Sequence, residues 1–121
     1  MTRDEIMALE GAELSDAVAE KVMGWKYHAG AKMPGCDWWE TNDKPICRDV
    51  WMPHELISDA FTVVEKMRVN HNFQMTWNRK QKKWLVSFAP DVRIESLVAI
   101  GDDSELAALI CRAALVVLEA Q

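Results

Sequence analysis

"NFQMTWNRKQKKWLVSF", Asn72 to Phe88, is the stretch whose reading decides the fold. Before it, up to Arg68, apolar residues recur at helical spacing; within it the period drops to two. Phe73, Met75 and Trp77 alternate with Gln74, Thr76 and Asn78, and Trp84, Val86 and Phe88 alternate with Leu85 and Ser87. Such alternation marks strands with one covered face. Closing them with the loop Arg79 to Lys82 sets Trp77 opposite Trp84, Met75 opposite Val86 and Phe73 opposite Phe88. All three pairs then share one face, whereas a slip of one residue would turn one strand's set outward.

Downstream, Ile94, Val98 and Ile100 suggest a weaker third strand around Arg93 to Ile100, interrupted by Ser96. Ser104 then reads as the cap of a helix through "ELAALICRAALVVLEA". Leu106, Leu109, Ile110, Ala113 and Val117 line one side of it, and Leu115 and Leu118 continue round. A helix apolar over that much of its girth is buried. Upstream, Ile57, Ala60, Phe61, Val64 and Met67 predict a helix from about His54 to Arg68. At the start, Thr2 and Glu5 form a capping-box pair. Leu14, Val18, Val22 and Trp25 follow along one helical face, with Gly11 splitting the segment and Gly24 ending it. Helices arranged around an antiparallel strand group predict the α+β class: an α-β-α layered sandwich whose small antiparallel sheet is covered by helices.

The chain has 121 residues, half of them hydrophobic and 27% charged, which predicts one soluble globular domain over 1–121. A net charge of −5 argues against general nucleic-acid binding but leaves room for a local basic site. Three cysteines without close spacing suit a reducing cytoplasm better than a disulfide framework. No apolar run approaches the ~20 residues of a membrane span.

Residues 24–53 form an aromatic-rich, irregular insert holding Trp25, Tyr27, Trp38, Trp39 and Trp51 among Pro34, Pro45 and Pro53. The turn chemistry of "TNDKP" predicts an irregular hairpin between "CDWWE" and "ICRDVW". If Trp38 and Trp39 are extended they point to opposite sides, so one indole faces the core and the other a surface.

"MTRDEIMALEGAELSDAVAEKVMGW", "AFTVVEKM" and "AALICRAALVVLEA" together resemble the phage ABA sandwich domain family, over nearly the whole chain. "VAEKVMGW" and "ICRAAL" are the most specific segments. The resemblance implies a phage-encoded protein with an α-β-α layered fold acting in the cytoplasm of the bacterial host. It brings no catalytic residues with it, and the aromatic insert is where members should differ most.

Candidate binding residues are the aromatic group Trp25, Tyr27, Trp38, Trp39 and Trp51, with the cations Arg48, Arg79 and Lys80. Indoles stack on flat ligands and anchor interfaces, but they also fill the core of a small domain, and packing is the stronger reading for the group. Arg48, set among aromatics, suits a phosphate or an indole face. From Lys66 to Pro90 there are six cations and no acidic residue; an exposed hairpin tip explains "RKQKK" at least as well as an anion site. His28, Cys36, Cys47 and His54 lack close ligand spacing, so no metal or other cofactor is expected. No nucleophile elbow, phosphate loop or metalloprotease motif is present, which points away from an enzyme. Two expectations follow. One is a sponge-like, oligomeric protein that sequesters a small nucleotide-like signal of bacterial immunity. The other is a module docking on a host or phage protein through a tryptophan surface. A pocket that joins Trp25, Trp38 or Trp51 to Arg48 favours the first; a flat exposed patch of indoles favours the second.

Overall fold

A computed structural model describes residues 1–30, 36–89, 97–101 and 103–119, with the backbone alone for 97–100 and 103. Helix α1 (Arg3–Ala8) opens with the expected capping box: Thr2 Oγ1 accepts from Glu5 N, and the Glu5 carboxylate accepts from Thr2 N. Helix α2 (Gly11–Lys21) begins at the glycine that splits the segment, whose φ of +56° favours a residue without a Cβ. Leu14, Val18 and Ala19 are wholly buried on its inner face. Gly24, at φ +71°, turns the chain away, so Trp25 lies beyond the helix and not on its face.

The decisive hairpin forms as read. Strands β4 (Asn72–Asn78) and β5 (Lys83–Ala89) pair antiparallel with Phe73 opposite Phe88, Met75 opposite Val86 and Trp77 opposite Trp84. Asn78 Oδ1 accepts the backbone N–H groups of Lys80 and Gln81 at 3.1 and 3.0 Å, which holds the loop closed. Strand β6 (Leu97–Gly101) adds to β5, with Leu97 opposite Phe88 and Gly101 opposite Trp84. The first part of the expected third strand, including Arg93, Ile94 and Ser96, lies outside the described residues.

Helix α4 (Leu106–Glu119) is the hub, touching α1, α2, α3 (Ile57–Met67), β5 and β6. Its residues Leu109, Ile110, Cys111, Ala113, Ala114 and Leu115 are at most 1% exposed, which is why its apolar character runs round the helix. Arg112, within "ICRAAL", reaches back to donate from Nη2 to Leu9 O at 3.0 Å, tying α4 to the end of α1. A short 3-10 turn (Asp103–Glu105) precedes α4, so Ser104 lies within that turn and is not the cap of the α-helix itself.

Helix α3 starts at Ile57, later than expected, after a turn that Asp59 Oδ2 secures by accepting Met52 N at 3.0 Å. Its buried face is Ala60, Val63, Val64 and Met67; Ile57 and Phe61, expected on that face, are exposed. Two neighbouring sectors of the helix are apolar, and packing against α4 selects the one with smaller side chains.

Residues 24–53 build more than a hairpin. Strands β1 (Lys26–His28), β2 (Trp38–Glu40) and β3 (Ile46–Cys47) form a second antiparallel sheet in the order β1-β2-β3. The turn between β2 and β3 is held by Thr41, whose hydroxyl donates to Lys44 O at 2.8 Å and accepts Asp43 N at 3.1 Å. The register aligns Tyr27, Trp39 and Ile46 on one face and His28, Trp38 and Cys47 on the other. Where a single sheet was expected there are two, within the α+β class foreseen.

Candidate functional site

The register of the small sheet decides what each indole does. Trp39, 1% exposed, belongs to the main core and meets the Tyr27 ring edge-on at 5.4 Å. Trp38 points the other way, as extended backbone requires, yet it is only 8% exposed. His28, its neighbour across the ladder, stacks on it at 4.3 Å and 12°. The expectation that one of this pair stands at an open surface is therefore corrected: a flat ring from β1 covers it. Trp25 packs edge-on against Trp51 at 4.6 Å, and Trp51, 5% exposed, donates from Nε1 to Ser15 O at 3.2 Å. The aromatic group is chiefly packing.

Arg48 follows β3 at a point where the ladder continues, its N–H donating to Asp37 O at 2.8 Å. Its side chain reaches α2. Nε lies 3.0 Å from Asp16 Oδ1, and Nη2 lies 2.6 Å from Asp16 Oδ2, a two-point grip on one carboxylate. That hydrogen bond and charge hold the guanidinium proton even more firmly than usual. Among the described residues no hydrogen bond reaches Nη1 of Arg48, so one arm of the fork is available.

Two adjoining clefts meet at this arginine. The first, about 240 Å³, is lined by Ala12, Ser15, Asp16, Arg48, Asp49, Trp51, Met52 and His54. The second, about 270 Å³, is lined by Gly30, Cys36, Asp37, Arg48 and Asp49. Both have Arg48 and Asp49 in their linings, and each alone is a little smaller than the usual ligand site of roughly 300–1,000 Å³.

In the first cleft, the backbone N–H of His54 donates to Ser15 Oγ at 3.3 Å, and Oγ lies 2.6 Å from His54 Nδ1. The hydroxyl thus bridges the backbone and the ring of His54. Ser15 is 2% exposed. Such a covered hydroxyl staples α2 to the loop before α3.

In the second cleft, Asp37 accepts the Tyr27 hydroxyl and, at 3.0 Å, the N–H of Gly30. The Tyr27 bond first, then that of Gly30, holds the Asp37 carboxyl below its ordinary range, and the same bond raises the Tyr27 hydroxyl above its own. A carboxyl depressed in the folded state lends stability that is fully present above its unfolded value, about 3.9, and lost as pH falls through the folded one. Asp37→Asn should therefore melt below the parent at pH 7, with the gap closing below about pH 4. Melting curves across that range check it; a gap that stays constant would mean the carboxylate's charge contributes nothing. Cys36, beside it, shares its proton's hydrogen bond with Cys47, which with partial burial pushes the Cys36 thiol up to about 11.

Of the sequence-derived candidates, the structure brings Trp51 and Arg48 together in one cleft. Tyr27 adjoins the second cleft through Asp37. Trp25, Trp38 and Trp39 line neither, and Arg79 and Lys80 sit on the exposed hairpin tip, also outside both. Ser15 and Asp16 were not anticipated: their link to residues 48–54 spans more than thirty positions, and no local spacing reports it. Among the described residues no three His, Cys, Asp or Glu side chains gather to hold a metal ion, and no helix is long and apolar enough to cross a membrane.

Fold and site together define a small α+β layered domain with two clefts that share Arg48 and Asp49, beside its first long helix and its aromatic sheet. The chain belongs to the phage ABA sandwich domain family, whose model matches residues 16–115, and it is by that membership a phage protein. No curated protein and no solved structure matches the chain.

Proposed function

We propose that this phage protein acts in the host cytoplasm as a non-enzymatic binding protein that sequesters a small phosphorylated, nucleotide-like ligand at the clefts beside Arg48. The observation that carries the reading is the cleft that joins Trp51 to Arg48. A base or sugar lies toward Trp51, and a phosphate takes the open Nη1 arm of Arg48. The covered Ser15 hydroxyl supports binding over covalent chemistry, because a nucleophile has to reach its substrate.

The carboxylates limit which phosphates fit. Asp16 already neutralises Arg48, and Asp49 flanks it, so a highly charged ligand meets repulsion there. A phosphodiester with one negative charge suits the site better than a nucleoside triphosphate. A panel of cyclic dinucleotides, ADP-ribose derivatives and ordinary nucleotides, read by thermal unfolding, tests this. A ligand at 100 times its dissociation constant should stabilise the fold by about 2.7 kcal/mol, several degrees in Tm. Arg48→Ala should weaken binding roughly ten- to hundredfold, and Asp49→Asn should tighten it. Full affinity in Arg48→Ala would remove the cleft from consideration, and a ligand recovered chemically altered would make the protein an enzyme.

The docking alternative has less support from the indoles, which are mostly covered. Its best surface is instead Leu56, Ile57 and Phe61, each between 39 and 44% exposed around the start of α3. The same apolar group is the natural candidate for self-association. Sedimentation velocity with and without the ligand distinguishes a homo-oligomer from a monomer that needs another protein.

A further inference from the structure

The hairpin tip is left without a role by the cleft, and it combines two features that a merely solvated turn does not need together. Arg79, Lys80, Lys82 and Lys83 are all exposed, and the Asn78 side chain fixes the backbone that carries them. Directly behind them Trp77 stands opposite Trp84, ring centres 5.4 Å apart and planes inclined at 59°. Trp77 is 39% exposed, while Trp38, Trp39 and Trp51 are at most 8%. Lysines at a tip are explained by solubility and by protection of strand edges. A large indole left 39% exposed beside them works against both.

We propose that this tip binds single-stranded nucleic acid, with the four cations on the phosphates and the Trp77 face against a base. Charge and order both favour that partner. No acidic residue occurs from Lys66 to Pro90, so the negative charge of the molecule is carried by other segments, and salt screens it beyond about 8 Å. Backbone-tracking cations interleaved with an aromatic platform are how proteins hold single strands without reading sequence. An anionic membrane fits less well: the outermost residues, Arg79 to Lys82, include nothing apolar to enter a bilayer, and the indole trails behind them. A small anion fits less well too, since exposed turn cations do not converge on either cleft.

Fluorescence anisotropy of labelled oligothymidylate and oligouridylate, about 12 nucleotides long, tests the proposal on the intact protein. At about 50 mM salt, binding should be saturable, and the logarithm of affinity should fall with the logarithm of salt at a slope of about −3, as four phosphate contacts require. Arg79→Gln/Lys80→Gln/Lys83→Gln should lose at least tenfold in affinity while melting near the parent temperature. Trp77→Ala should lose roughly five- to hundredfold, and Trp77→Phe should keep most of the affinity, because a ring still stacks. Arg48→Ala should bind the oligonucleotide as the parent does, which separates this site from the cleft. Absence of saturable binding, equal affinity in the triple variant, or loss of binding in Arg48→Ala would each overturn the proposal. So would binding to phosphatidylglycerol vesicles with none to the oligonucleotides.

Discussion

Trp39→Ala should destabilise the protein by about 3–5 kcal/mol, the largest loss expected from any single change in the aromatic sheet. The indole is 1% exposed and sits in the main core, with Tyr27 on one flank and Ile46 on the other across the ladder. Truncation would remove a large apolar surface and leave a cavity that three short strands have little means of closing. For a domain of this size the melting point should fall by more than about ten degrees. The comparison with Trp39→Phe is informative, because among the described residues the Trp39 Nε1 proton has no hydrogen-bond partner. A benzyl ring keeps part of the volume and drops a buried, unpaired donor, so the loss should be well under half that of alanine. Denaturant melts of the three proteins check both. If alanine costs less than about 1 kcal/mol, the indole is not packing and belongs to a site.

Phe88→Ala should cost about 3–5 kcal/mol as well, for a different reason. Phe88 is wholly buried beneath α4, and its ring lies 5.0 Å from Phe73, which in turn lies 6.4 Å from Phe61. The three rings step outward from core to surface. Phe61→Ala at the outer end, 39% exposed, should therefore cost only about 1 kcal/mol or less in the monomer. If the protein self-associates through the α3 surface, Phe61→Ala will instead lower the melting point in proportion to how much dimer the concentration supports. The same pair of variants, measured at two protein concentrations, thus reads the core and the oligomer separately.

The large sheet was legible from its period, whereas of the small one only the hairpin across "TNDKP" was, and that from turn chemistry; the difference is physical. Strands β4 and β5 are seven residues each with one covered face, so alternation has room to show, and the aromatic pairs select one register. Strands β1, β2 and β3 are three, three and two residues long, too short for a period to register. Trp38 and Trp39 are moreover buried on opposite faces, which erases the polar half of the alternation. Helix α3 was legible as a helix but not in its orientation, since Ile57 and Phe61 are as apolar as the residues that face inward. At the site, Arg48 and Trp51 could be singled out from residue type. Asp16 could not: on α2 it is one of several acidic residues, and only the tertiary fold shows that it grips Arg48 through Nε and Nη2.

Helix α4 is the last described element and packs against α1, α2, α3, β5 and β6. On a ribosome this has a cost in time. The first hundred or so residues emerge as amphipathic helices and hairpins whose apolar faces lack the helix against which most of them pack. Only when α4 clears the exit can the core close, so the chain must be held soluble through most of its synthesis by its own surface charges or by a chaperone. A nonsense change anywhere before Leu106 should yield an aggregating fragment and not a shortened, working domain. An isolated α4 peptide added in trans should rescue the fragment that ends just before Leu106 and not those cut earlier, which also lack part of the sheet or α3.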